Sequence, residues 1–418
     1  MSAQSRPMRA VGTSSATILL CCVVAIFEGF DLQSAGVAAP RLGPLFHMTP
    51  GQLAWFFSAS TFGLMVGAAF GGRLSDRFGR KKVLIGSIAA FGLMSVANGL
   101  APNVEMLLLA RFMTGAGLGG ALPNLLALVA ENTAPGRRST ALAALYGAMP
   151  FGGAVASLVS LMGGAADWRI VFLAGGVGPL VMAPILIFAL PESRELQQVQ
   201  AEASDGALHP KSIRHALMGD GRGFRTLLLC AGFFLGLMIL YVLLNWLPTL
   251  LVGRGLSRPD ASWVQVSFNL CGALASVLTG MAMDRRPLSH VVVGCFALAA
   301  AALVLLWLAP VSLAVSFMVG GLVGMAILST QTVLYATAPS VYPTEVRGTG
   351  VGAAVVFGRL GSAVGPLVAG SLLTSGVPPQ QVLMVLIPIV VAAGVATFVL
   401  ALLIGAQARF VLAGATVH

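Results

Sequence analysis

Gly71-Gly72-Arg73-Leu74-Ser75-Asp76-Arg77-Phe78-Gly79-Arg80-Lys81-Lys82 is a glycine-punctuated basic segment set between two apolar runs, each long enough to cross a bilayer. A worn copy, Gly280-Met281-Ala282-Met283-Asp284-Arg285-Arg286-Pro287, stands in the second half of the chain. A fainter echo relates Ala134-Pro135-Gly136-Arg137-Arg138-Ser139-Thr140 to Tyr342-Pro343-Thr344-Glu345-Val346-Arg347-Gly348-Thr349. Duplicated loops between apolar runs predict an internally repeated membrane protein.

The composition agrees. Of 418 residues, 57% are hydrophobic and only 9% charged, and the mean hydropathy is +0.92. That balance excludes a soluble domain, because spans of roughly 20 apolar residues are what a hydrocarbon layer about 30 Å thick requires. Charges, prolines and Gly-rich turns divide the chain into twelve spans centred at about residues 27, 62, 92, 116, 152, 180, 237, 271, 298, 322, 360 and 392. One polar segment, Pro191 to Gly223, interrupts the series. The expected organisation is a first six-helix half over residues 1–190, a cytoplasmic linker over 191–223 and a second six-helix half over 224–418.

Orientation follows from the 24 basic residues, since Lys and Arg accumulate in short cytoplasmic loops. With both termini cytoplasmic, all of them fall on that side except Arg41, Arg169, Arg254 and Arg258, and except Arg111 and Arg359, which lie inside spans. The net charge of +10 is therefore a product of topology and points to a lipid bilayer, not to nucleic acid. The N-terminal run is too long for a cleaved signal and contains two acids, so it is read as a retained first helix. The five cysteines lie within spans without Cys-x-x-Cys spacing, and the five histidines fall in loops, at span ends or at the terminus. No metal or cofactor is called for, and no nucleophile or phosphate loop suggests an enzyme.

Glu28 and Asp31 sit in the middle of the first apolar run. A carboxylate at the centre of a bilayer costs about 2.5 to 3.5 kcal/mol on insertion scales, so such acids face water-filled paths and carry ions or protons. Three residues apart, the two share a helix face. Both cannot easily ionise together in a low dielectric, and at least one is placed to bind a proton near neutral pH. Asp31 is the first choice for proton coupling, with Glu28 beside it. Arg359 lies near the midplane of the eleventh span and calls for a partner, either a substrate carboxylate held by two parallel hydrogen bonds or Glu28 or Asp31. Arg111, nearer the outer end of the fourth span, is placed to reach the interface, to shape an entry path that attracts anions, or to serve a structural role. Tyr241 with Asn245, and Gln331 with Tyr335, are four apart on shared faces and suit a polar aromatic ligand, with Asn124 and Gln33 as lesser candidates, and each taken singly could equally bridge helices.

The string from Gly71 to Lys82 resembles the loop signature of the major facilitator superfamily. Arg111-x-x-x-Gly115-x-Gly117-x-Gly119 and Pro191-Glu192-Ser193-Arg194 fit that resemblance. The first-helix segment Phe27-Glu28-Gly29-Phe30-Asp31-Leu32-Gln33 is similar to the acid-Gly-x-Asp element of the aromatic acid/proton symporters, with Glu28 where many members carry Asp. Leu118-Gly119-Gly120-Ala121-Leu122-Pro123-Asn124, Asn245-Trp246-Leu247-Pro248 and Gly358-Arg359-Leu360-Gly361 extend the likeness.

The resemblance implies an all-α membrane protein of about twelve helices in two halves, placed in the bacterial inner membrane and working as a monomer. It implies import of a small aromatic carboxylate, such as 3-(3-hydroxyphenyl)propionate, together with protons by alternating access. It also implies that Asp76 locks the cytoplasmic gate by docking near the start of the eleventh span. Gly72 and Gly79 are read as allowing close helix approach, and Arg77, Arg80 and Lys81 as gate or topology residues. Two alternatives are a different aromatic acid, such as a hydroxybenzoate, and a proton-coupled exporter of drugs or metabolites. Met149-Pro150-Phe151-Gly152-Gly153 lacks the Gly-Pro pair expected of such exporters.

Overall fold

The computed structural model describes residues 15–134, 138–162, 168–190, 213–343 and 346–415. Among them are twelve helices long and apolar enough to cross a membrane. They are α1 (Ser15–Leu45), α2 (Pro50–Phe78), α3 (Arg80–Gly99), α4 (Val104–Glu131), α5 (Arg138–Met162) and α6 (Arg169–Ala189). After the interruption come α7 (Gly223–Gly253), α8 (Arg258–Arg285), α9 (Leu288–Leu308), α10 (Leu313–Thr337), α11 (Arg347–Thr374) and α12 (Pro379–Ala415). Every expected span centre falls inside its helix.

The packing scheme of the first six helices recurs in the last six. Helix α1 packs on α5, α2 on α4, and α3 on both α4 and α6, and the same partnerships hold between α7 and α11, α8 and α10, and α9 with α10 and α12. The halves meet through α2 against α11, α5 against α8 and α1 against α7. Local sequence sets the starts of four helices on one face. Thr49 accepts from the Gln52 amide while the Gln52 side chain accepts from the Thr49 amide, a capping box for α2. Asn103, Ser257 and Ser312 cap α4, α8 and α10 by the simpler bond, each side chain accepting from the amide three residues on.

The opposite face carries the Arg-rich segment, and here the structure corrects the loop reading. Gly71 to Phe78 form the last turns of α2, Gly79 alone makes the corner, and Arg80 already begins α3. Gly79 has φ 97°, a left-handed conformation that favours glycine, so its reason is the turn and not helix approach. Close approach belongs to Gly71, where a side chain would meet the backbone of Gly120 in α4. Arg80 pairs with Glu131 at the end of α4, within its own half, and Arg77 lies 5.2 Å over the Phe78 ring. The surroundings of Gly72 and the side chain of Asp76 lie outside what is described, as does the linker before Ile213. A short helix, Ile213–Met218, leads back into the bundle, and Arg222 donates to the His215 carbonyl at 3.2 Å.

The segment from Met149 to Gly153 serves the α1–α5 crossing. A side chain at Gly29 would strike the Met149 backbone, one at Gly152 the Ile26 carbonyl, and one at Gly153 the Gln33 amide. Replacing Gly152 with Leu is therefore expected to cost about 1–3 kcal/mol through forced helix separation, read as a lower unfolding temperature in detergent. Gly147→Ala, with nothing within 4 Å of the added carbon, leaves that temperature unchanged.

Candidate functional site

Helix α1 carries both intramembrane acids into the protein interior, but the bundle treats them differently. Asp31 is fully buried and pairs with Arg111, whose Nη1 donates to both carboxylate oxygens at 3.3 Å and to Ser34 Oγ at 3.3 Å. The guanidinium lies beside a T-shaped pair of aromatic rings, 5.5 Å from the Phe56 centroid and 6.0 Å from that of Phe172. Seven residues into α4 and 1% exposed, Arg111 does not reach the interface as its position near the helix end suggested. It closes an ion pair within the first half.

Glu28, one turn earlier, is 1% exposed, and neither of its carboxylate oxygens has a hydrogen-bond partner among the described residues. Arg359 on α11 lies within electrostatic range of it from the other half. Arg359 makes its hydrogen bond elsewhere, donating from Nη1 to Tyr241 Oη on α7 at 2.7 Å. It is also within electrostatic range of Tyr146 on α5 and Tyr335 on α10. The chain has only four tyrosines, and three of them converge on this one guanidinium.

Tyr146 was not among the residues picked out from the sequence. Its ring meets that of Tyr335 across the gap between the halves, with centroids 5.9 Å apart and planes 33° from parallel. Tyr335 in turn stands edge-on to Phe233 at 4.9 Å. The scarcity of tyrosine in so apolar a chain was the available signal.

Gln331 lies one turn from Tyr335, buried against Gly236 of α7, with neither amide atom partnered among the described residues. The other amide candidates are placed away from the guanidinium. Asn124 accepts from Ser75 Oγ at 2.8 Å and donates to the Gly120 carbonyl, which fastens α4 to the end of α2. That is 13 residues beyond Arg111, or ~20 Å along the helix axis. Asn245 donates to the Tyr241 carbonyl at 2.8 Å, and its backbone abuts Gly36 where α1 crosses α7. Gln33 donates to Asn269 Oδ1 at 2.5 Å and accepts from Gln265 Nε2 at 2.8 Å, so it joins α1 to α8. Gln265 and Asn269 are themselves four apart, the same spacing that singled out pairs in the seventh and tenth spans.

These bonds also show where the halves are held together. Besides the Gln33 cluster, Ser58 Oγ donates to the Ala363 carbonyl at 2.7 Å, Phe57 stacks edge-on with Trp246 at 5.0 Å, and Gly370 faces Ala54 and Pro50. All lie on the face of the capped helix starts, where the halves are pressed together. These contacts latch the two halves together on that face.

The chain matches the Major Facilitator Superfamily over residues 21–366 and again over 256–414. It is 40% identical over 386 residues to the 3-(3-hydroxy-phenyl)propionate transporter of Escherichia coli (strain K12), covering 92% of this chain and 93% of that protein. It is 34% identical over 404 residues to the 4-hydroxybenzoate transporter PcaK of Pseudomonas aeruginosa, covering 88% of each. Among solved structures, a bacterial homolog of the human lysosomal transporter Spinster, inward-facing and unoccupied, aligns with a TM-score of 0.73 at 16% identity over 93% of this chain and 96% of that one.

Proposed function

Because the chain belongs to the major facilitator superfamily, we propose that it imports an aromatic carboxylate together with protons, by alternating access, across a bacterial inner membrane. The positive-inside bias makes the Arg-rich face cytoplasmic and puts both termini on that side, so the latched face is the outer one. The observation that carries the reading is the buried Glu28, without a hydrogen-bond partner among the described residues and within electrostatic range of Arg359 from the other half, itself bonded to Tyr241.

Each group has a physical task in this reading. The cargo carboxylate takes the planar fork of Arg359, with the Tyr241 hydroxyl holding the guanidinium in place. Once the anion occupies Arg359, an ionised Glu28 has lost its counter-charge in an apolar setting. Binding a proton removes that cost, so cargo and proton enter together. Asp31 keeps its own partner in Arg111 throughout and holds α1 to α4. The halves divide at the polar linker, and a rocking of one on the other, breaking the Gln33 cluster and the Ser58 bond, exposes the site to the outside. Asp76 keeps the gating role that the family resemblance implies.

The direct test is uptake of labelled 3-(3-hydroxyphenyl)propionate into proteoliposomes with an acidic exterior, before and after an uncoupler. Accumulation lost on uncoupling supports proton-driven import, while absence of accumulation by folded protein removes it. Competition by 4-hydroxybenzoate tests the second cargo that the relatives suggest. Arg359→Lys retains the charge but not the planar pair of donors, and is expected to weaken apparent affinity about tenfold. Unchanged affinity in that variant would mean that Arg359 does not hold the carboxylate.

A further inference from the structure

We infer that Tyr146 is the residue that selects an aromatic ring over an aliphatic one, with Tyr335 and Phe233 as its backing. The inference rests on the cargo being an aromatic carboxylate and adds which surface recognises the ring. Three rings form a row across the cleft: Phe233 on α7, Tyr335 on α10 and Tyr146 on α5. Phe233 is buried, Tyr335 is partly covered, and Tyr146 at the end of the row is 41% exposed.

Tyr146 reaches across from the first half to touch Tyr335, and in this proposal its open surface faces the space between the halves. The 5.9 Å centroid separation is too small to admit another ring, which needs about 7 Å between its neighbours at ordinary stacking distance. A cargo ring must therefore lie against the free face or edge of Tyr146 and continue the row. Arg359 is within electrostatic range of the same tyrosine, so a carboxylate on a short chain can reach the guanidinium while its ring meets Tyr146.

Aromatic pairs gain free energy from their quadrupoles beyond buried area, and a saturated ring of the same outline forfeits that part. The pair is also the one ring contact among the described residues that joins the first half to α10, so a cargo ring added to it engages both halves.

The test compares displacement of bound labelled 3-(3-hydroxyphenyl)propionate by 3-phenylpropionate and by 3-cyclohexylpropionate, using purified full-length protein in detergent. Wild type is expected to favour the phenyl acid. Tyr146→Leu is expected to lower that preference about fivefold, while Tyr146→Phe, which keeps the ring, retains it. Tyr335→Leu removes the backing and lowers the preference too, and it decides the matter if Tyr146→Leu does not fold. A preference unchanged in both Leu variants, or a wild type that does not distinguish the two acids, overturns the role of Tyr146 and leaves the cargo class standing. A wild type that binds no labelled acid overturns both.

Discussion

Glu28→Gln is expected to abolish accumulation of the aromatic acid against a gradient while leaving exchange of internal for external acid intact. With one proton per cargo molecule, a pH difference of one unit supports up to about tenfold accumulation, because one pH unit is worth about 1.4 kcal/mol. Glutamine has nearly the shape of a protonated glutamate and keeps the site neutral for the anion, but it carries no exchangeable proton across. The variant should therefore equilibrate cargo and stop. The measurement is the inside-to-outside ratio under an imposed pH difference, with counterflow in the same vesicles as the control. Full accumulation by Glu28→Gln would place the proton elsewhere.

Asp31→Asn is expected to fail for another reason, and the two variants together separate coupling from architecture. Removing the Asp31 carboxylate leaves Arg111 charged and 1% exposed beside two aromatic rings. Breaking one side of a buried ion pair costs about 3–5 kcal/mol, enough to lower the unfolding temperature markedly and to reduce the yield of folded protein. Arg111→Gln should be similarly damaging, whereas the double variant Asp31→Asn/Arg111→Gln recovers most of the loss, since no lone charge is left behind. Thermal unfolding of the four proteins in detergent gives the coupling directly. An Asp31→Asn protein as stable as wild type but unable to accumulate cargo would return Asp31 to the proton-carrying role first assigned to it.

The contrast between these acids shows what one dimension of information leaves open. Spacing puts Glu28 and Asp31 on the same side of α1, and nothing in the segment distinguishes them except that one is longer. The distinction comes from α4, which delivers Arg111 to Asp31, and from α11, whose Arg359 faces Glu28 but bonds Tyr241. Arg111 and Arg359 are 80 and 331 residues from their acidic counterparts in the chain, so partner choice depends on which helices pack.

The polar residues singled out inside the bundle are all buried or partly buried, but they lie at different levels along their helices. Asn124 looked like a cargo contact because it is a polar residue in an apolar helix. In the structure it holds Ser75 near the Arg-rich face, the helix-bridging role that the sequence left equally open. Gln33 looked similar and belongs to a latch on the other face. Helical periodicity reports the side of a helix and says little about its level within the bundle, so each reading reached the right face and stopped there.

What the sequence by itself determined is the membrane setting, the twelve spans, the duplicated halves and the family. These depend on composition, on spacing and on short local segments such as Gly71 to Lys82, whose physics is complete within a few turns of chain. What only the tertiary structure decided is which acid is paired and which is left alone, that Tyr146 completes a row of rings, and which face is latched. Those outcomes are set by contacts between helices far apart in the chain, where burial and geometry choose among partners that are chemically equivalent on paper.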